Sequence, residues 1–136
     1  MTPKSAFGCA RCCGDEPRTA WEATKNLEHV RTLVDDSHFI VQVLRCKLCR
    51  QQFLWVTTEI VDWAGGDDAQ FRRVVPLTAA EAETLFAEQG EVTPAMLVMF
   101  GRENRRYLRF DWPTGVEKPL IRWETGALVF VPDGAA

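Results

Sequence analysis

Phe39-Ile40-Val41-Gln42-Val43-Leu44-Arg45-Cys46-Lys47-Leu48-Cys49-Arg50-Gln51-Gln52-Phe53-Leu54-Trp55-Val56-Thr57-Thr58-Glu59-Ile60-Val61 is the stretch that decides the fold. One apolar run, Phe39–Leu44, enters a CxxC, and a second, Phe53–Val61, leaves it. Both are rich in β-branched and aromatic residues, so both read as strands. Joined at Cys46-Lys47-Leu48-Cys49, they form a hairpin whose tip presents two thiols to one metal ion. Neither run alternates cleanly, which implies that both faces of the sheet are covered. After a turn at Asp62–Asp68, Gln70–Leu77 returns as a third strand, and Pro76 suits its end.

Upstream lies a second group of thiols, Gly8-Cys9-Ala10-Arg11-Cys12-Cys13-Gly14, after a lead-in from Met1 to Phe7. Two CxxC pairs supply four thiolates, the number that tetrahedral Zn²⁺ takes, each pair biting the ion from one side. Cys9 pairs with either Cys12 or Cys13, and the spacing alone does not choose. The 33 residues from Cys13 to Arg45 exceed the usual separation of such pairs, about 15 to 20. A further hairpin fills that gap if Leu27–Val34 is a strand ending at Asp35-Asp36-Ser37. Thr19–Asp36 also partly fits a helix, through Trp21, Leu27, Val30 and Val34. A redox CxxC is expected at the start of a helix, and neither pair is placed there.

With its CxxC, intervening hairpin, CxxC on a strand–knuckle–strand and third strand, the chain resembles the zinc-ribbon proteins over about residues 9–77. That resemblance implies a structural zinc held by Cys9, Cys12, Cys46 and Cys49. Such knuckles favour Gly directly after the second Cys; here Cys13 and Arg50 occupy those places.

The second half reads as helices followed by strands. Thr78-Ala79-Ala80-Glu81 is a capping box, with Ala82, Leu85, Phe86 and Gln89 on one face and Gly90 as the stop. Thr93-Pro94 opens a short helix over Ala95–Phe100. Arg105–Trp112 alternates, with Leu108, Phe110 and Trp112 on one side and Arg105, Tyr107, Arg109 and Asp111 on the other. Leu120–Glu124 and Ala127–Val131 are expected to complete a three-stranded meander around a Thr125-Gly126 turn, with Pro132–Ala136 as a tail. The fold class is therefore α+β: a zinc-ribbon-like antiparallel sheet in residues 1–77, then a helical pair and β-meander in 78–136 sharing its core.

The chain has 136 residues, 46% of them apolar, which suits one domain. It opens on no apolar leader and has no run of the roughly 20 apolar residues that a membrane span needs. A cytoplasmic location is the default expectation. Charge is uneven: net +2 over residues 1–50, −6 over 51–100 and +1 over 101–136. An acidic middle disfavours general nucleic-acid binding, which needs a basic surface. The basic strip Arg102, Arg105, Arg106 and Arg109, with Tyr107 or an exposed Trp, keeps a nucleic-acid-binding zinc ribbon as the alternative.

No GxSxG, HExxH, phosphate-binding Gly loop or dinucleotide motif is present, so no catalysis is expected. His29 and His38 read as structural, and the acidic turn lacks the spacing of an EF-hand. The expected function is a non-catalytic zinc-binding interaction module for a basic protein partner. Its contact residues are Glu59, Asp62, Trp63, Asp67 and Asp68: glycines shape the loop, aspartates steer and Trp63 anchors. In size, acidity and lack of active-site chemistry the chain is similar to bacterial immunity proteins, which block a toxin through its basic surface.

Overall fold

The computed structural model describes residues 7–87, 92–102 and 105–131. The expected helix stop at Gly90, the place of Gln89, most of the lead-in and the Pro132–Ala136 tail lie outside them. Six strands form one antiparallel sheet in sequence order: β1 Leu27–Asp36, β2 Phe39–Cys46, β3 Gln52–Ile60, β4 Ala69–Pro76, β5 Arg106–Trp112 and β6 Leu120–Thr125. β4 pairs directly with β5 across the intervening helices, Val74 facing Leu108, so the sheet is continuous from the first half into the second. The Leu27–Val34 strand forms and runs two residues further, while the helical signal before it is also real: α1 spans Pro17–Ala23.

Both sheet faces are buried, which is why β2 and β3 do not alternate cleanly. Val41, Val43, Leu54, Val56, Val75 and Tyr107 line one face, covered by α2 (Ala79–Ala87), α3 (Pro94–Val98) and Leu128. Phe53, Val74 and Leu108 line the other, covered by α1 and the cysteine loop. Trp21 of α1 seats there, stacked on Phe110 at 4.3 Å and on Trp55 at 5.7 Å between centroids. The capping box forms as written: Thr78 N–H donates to Glu81 Oε1 (2.8 Å), and Glu81 N–H to Thr78 Oγ1 (3.1 Å).

One expected strand is absent. Ala127–Val131 does not pair beside β6; it crosses the sheet. Leu128 is buried in the helix-side core, Phe130 meets Phe39 edge to face, and the Val129 carbonyl accepts from Arg73 Nε at 2.6 Å. Arg73, on β4, is 1% exposed. A buried guanidinium needs acceptors, and the crossing segment supplies one while covering apolar surface. The C-terminal meander thus has two strands of its own, β5 and β6, and takes β4 as its third neighbour.

Candidate metal centre

Two tight turns bring four thiols together. At the end of β2, Arg50 N–H donates to the Cys46 carbonyl and Cys46 N–H to the Gln51 carbonyl, each at 2.8 Å. This reverses the chain across Lys47-Leu48 and returns Cys49 toward Cys46. Arg50 holds φ 66°, the left-handed conformation that Gly adopts without strain. At the N-terminal turn, Cys13 N–H donates to the Cys9 carbonyl (2.9 Å) and Cys9 N–H to Cys12 Sγ (3.3 Å). Gly8, at φ +65°, is needed there: a Cβ would overlap Cys13 Sγ and lie 2.8 Å from Cys12 Sγ.

The long interval between the pairs closes because the chain passes through α1 to Leu27, which pairs with Cys46; β1 then runs to the far end of the sheet and β2 returns to the thiols. Other groups hold the N-terminal loop to the sheet. Gly8 N–H donates to Gln51 Oε1 (2.9 Å), while Gln51 Nε2 donates to the Gln52 and Leu77 carbonyls (2.7 Å each). Arg106 Nη2 donates to the Cys13 and Gly14 carbonyls (2.8 and 3.0 Å) and stacks over Trp123, whose Nε1 also donates to Gly14 (3.0 Å). Sequence reasoning missed Gln51 and Trp123 and placed Arg106 in a basic strip instead, because the groups that tie them to this loop or to Leu77 lie between 26 and 109 residues away. Gly8 and Gly14 flanking the first turn were the local hint.

The Sγ atoms of Cys9, Cys12, Cys46 and Cys49 all lie within 4.8 Å of one another. Cys12 Sγ is 3.6 Å from Cys9 Sγ and 3.6 Å from Cys49 Sγ. Cys12 and Cys46 are buried, and Cys49 is exposed at the rim. Cys13 is not one of the four, although its Sγ is 3.9 Å from Cys12 Sγ. Of the two pairings left open by spacing, the cluster contains Cys9 with Cys12.

The thiols of Cys9, Cys12 and Cys49 do not ionise independently. Burial opposes ionisation of Cys9, but the backbone amides of Cys12 and Arg11 and the thiols of Cys12 and Cys49 outweigh it and bring its pKa to about 7. Hydrogen bonding with Cys13 and burial push Cys12 up. Burial, together with the thiols of Cys12 and Cys46, pushes Cys49 up to about 12 against the Gln51 backbone amide. One thiolate forms readily and its neighbours then resist. A cation at the centre reverses that resistance, since metal ligation deprotonates thiols outright. The donor set and its compactness thus suit a metal ion that four sulfurs can surround.

The other expected site residues lie at the opposite end of the sheet. Asp62 folds the β3–β4 loop onto itself, accepting from Gly65 N–H (3.0 Å) and Asp67 N–H (3.3 Å); these bonds hold its carboxyl below the usual carboxylate range. Asp68 Oδ1 accepts from Asp62 N–H (2.8 Å). Asp67 reaches outward: its carboxylate accepts from Gly115 N–H (2.7 Å) and its carbonyl from Thr114 Oγ1 (2.6 Å). Glu59 pairs with His38 at 3.2 Å. Trp63 stands 91% exposed.

Arg105, Arg106 and Arg109 of the basic strip are all paired. Arg105 makes a two-pronged bond to Glu81 (2.7 Å twice), and Arg109 pairs with Asp111 and Glu124 (2.7 and 2.9 Å). Arg106 meets the Cys13–Asp15 turn. Tyr107 is fully buried, so Arg105, Arg106, Arg109 and Tyr107 do not offer the free cations and stacking face that the nucleic-acid reading required. Among the described residues, no helix is long and apolar enough to cross a membrane. No family model matches the chain, and neither a curated protein nor a solved structure matches it.

Proposed function

We propose that the chain is a non-catalytic interaction module whose shape is fixed by a structural zinc on Cys9, Cys12, Cys46 and Cys49, and whose acidic end receives a basic protein partner. The observation that carries the partner reading is Trp63: a large indole held out in solvent on a loop whose aspartates brace its backbone. A surface Trp on a braced loop has the character of a binding anchor, since little ordering remains to be done on association.

Charge supports it. The three turns at this end carry Asp35, Asp36, Glu59, Asp62, Asp67, Asp68 and Glu117 against Lys118 and His38. Such a field steers a cationic partner and repels nucleic acid. The adjoining β5–β6 hairpin exposes Trp112, Val116 and Leu120 beside it. An inhibitor of the immunity kind, seated on the basic surface of a toxin, is the cellular role that this chemistry fits. Zinc ligation explains how so small a chain presents the loop on a stiff base, the ribbon resemblance supplying the choice of metal.

The test is recovery of partners from lysate of the source cells with the wild type, with Trp63→Ala and with Asp67→Lys plus Asp68→Lys. The expected outcome is one basic protein retained by the wild type and lost by both folded variants. Equal recovery by all three removes the loop from the interface.

A further inference from the structure

We propose that the thiol end of the sheet is a second interaction surface, formed by Arg11, Lys47, Leu48 and Arg50, and that it receives an acidic segment of another protein. It lies at the opposite end from the Trp63 loop and stands independently of the partner assigned there. Arg11 sits between Cys9 and Cys12, and Lys47 and Leu48 sit between Cys46 and Cys49. The sulfurs of these two turns lie within 4.8 Å of one another, so the turns bring the four side chains to one end of the molecule. All four residues are exposed, Leu48 by 67%. Among the described residues, no hydrogen bond or ion pair engages the side chain of Arg11, Lys47 or Arg50. The carboxylates nearby are already taken. Asp15 pairs with Arg106 (3.3 Å) and Glu28 with Arg45 (2.9 Å), while Glu16 accepts from the Arg18 amide at the start of α1 (3.1 Å).

Arg50 supplies a second observation. It holds φ 66°, a conformation that Gly adopts without strain and Arg does not. The turn by itself therefore favours Gly, and among the described residues no side-chain contact offsets the strain of an arginine there. Strain of this kind gathers at ligand-binding positions. Guanidinium and ammonium groups around an aliphatic tip suit carboxylates flanking an apolar residue, since charge-assisted hydrogen bonds then surround a small dry contact. A nucleic acid would find cations for its phosphates here but no ring on which to stack its bases. Trp21 and Trp123 are partly buried, and Arg106 lies over Trp123.

The test is an NMR titration of the isotope-labelled full chain, as isolated, with a synthetic peptide of glutamates around one leucine. Saturable amide shifts are expected at Arg11, Lys47, Leu48 and Arg50 and not in the Trp63 loop, and binding should weaken as salt rises. A peptide with serine in place of the leucine should bind more weakly. Arg50→Gly and Arg50→Asn both suit the left-handed conformation, so both should fold as well as the wild type yet bind the peptide about tenfold more weakly. Trp63→Ala should bind it as the wild type does. Absent or scattered shifts, undiminished binding by the two Arg50 variants, equal binding of the serine peptide, or a loss in Trp63→Ala overturns the proposal. Tighter binding of an oligothymidylate than of the peptide also overturns it, in favour of nucleic acid. Shifts of the protein alone that join this end to the Trp63 loop as concentration rises overturn it too, since a second copy then supplies the acidic segment.

Discussion

Arg73 and Asp111 meet at 2.6 Å inside the sheet's helix-covered face, one on β4 and the other on β5, with side chains 1% and 5% exposed. Asp111 also accepts from Arg109 Nε (2.7 Å), so one carboxylate neutralises two guanidinium groups. Removing it leaves the buried Arg73 guanidinium with backbone carbonyls alone and takes one of two carboxylates from Arg109. Asp111→Ala is therefore expected to destabilise the protein by about 3 to 5 kcal/mol. The double change Arg73→Met, Asp111→Leu removes cation and carboxylate together and should cost less than the single one. Urea unfolding of the variants checks this ordering, and a cheaper single change would mean that the pair is not buried in solution.

The cysteines separate by role in the same way. Cys46→Ser withdraws one of the four clustered sulfurs, whereas Cys13→Ser leaves all four in place. The first should abolish stoichiometric zinc, and the second should keep about one ion per chain. Chelation of the wild type should lower its thermal midpoint, since an ion bound by the native state alone stabilises that state. Equal zinc content in the two variants would break the assignment.

Arg50 offers a backbone test of the second turn. A non-Gly residue in the left-handed region carries roughly 1 to 2 kcal/mol of steric strain, and Arg50 sits there at φ 66°. Arg50→Gly should relieve part of it and raise stability, although Gly's greater freedom in the unfolded chain offsets some of the gain. Arg50→Val, β-branched and less tolerant of this conformation, should lower it. Thermal melts of the zinc-loaded proteins read both signs.

What was legible in the sequence was what is decided locally. The β2–β3 hairpin announces itself through apolar runs on either side of a CxxC. The capping box needs only Thr78 and Glu81, three residues apart. The four clustered thiols follow from two CxxC motifs, since each is a turn on its own. The strand mistaken at Ala127–Val131 was decided elsewhere: β-like composition is real there, but Arg73, 56 residues earlier, claims the Val129 carbonyl. Arg105 read as part of a basic strip open to nucleic acid because Glu81, its partner, lies on a helix 24 residues away. Trp63 could not be placed from sequence, as a Gly/Asp loop serves equally well to fold an indole back or to hold it out.

Glu81 links the capping box to pH. Burial alone would raise its pKa, but hydrogen bonds from Arg105 and the Thr78 amide, with the charge of Arg105, hold it below the usual carboxylate range. A carboxyl depressed in the folded state stabilises above its ordinary pKa, and that contribution fades as pH falls through the folded value. Acid should thus weaken the start of α2, and Glu81→Gln should flatten that part of the stability–pH curve. Thr78→Ala, which removes the other half of the box, should cost about 1 kcal/mol at neutral pH. Unchanged stability would mean that α2 does not begin there.

Asp67 joins the two halves of the acidic end. Its carboxylate accepts from the Gly115 amide and its carbonyl from the Thr114 hydroxyl, so the Trp63 loop and the β5–β6 turn are tied across 48 residues of sequence. Both groups are exposed, and water can replace either one, so Asp67→Ala should cost no more than about 1 kcal/mol of global stability. Its local effect should be larger. Gly115 N–H loses its acceptor and should exchange with solvent markedly faster, while amides in the middle of β4 and β5 keep their protection, because opening confined to a loop does not require the sheet to part. Amide exchange by NMR on the zinc-loaded wild type and variant measures both. Unchanged exchange at Gly115 would mean that the loop and hairpin move independently, and that Trp63 and Trp112 do not form one rigid surface. Faster exchange at Gly115 alone would support a single surface braced by Asp67, and it would also explain any loss of partner binding in Asp67→Lys beyond the change of charge.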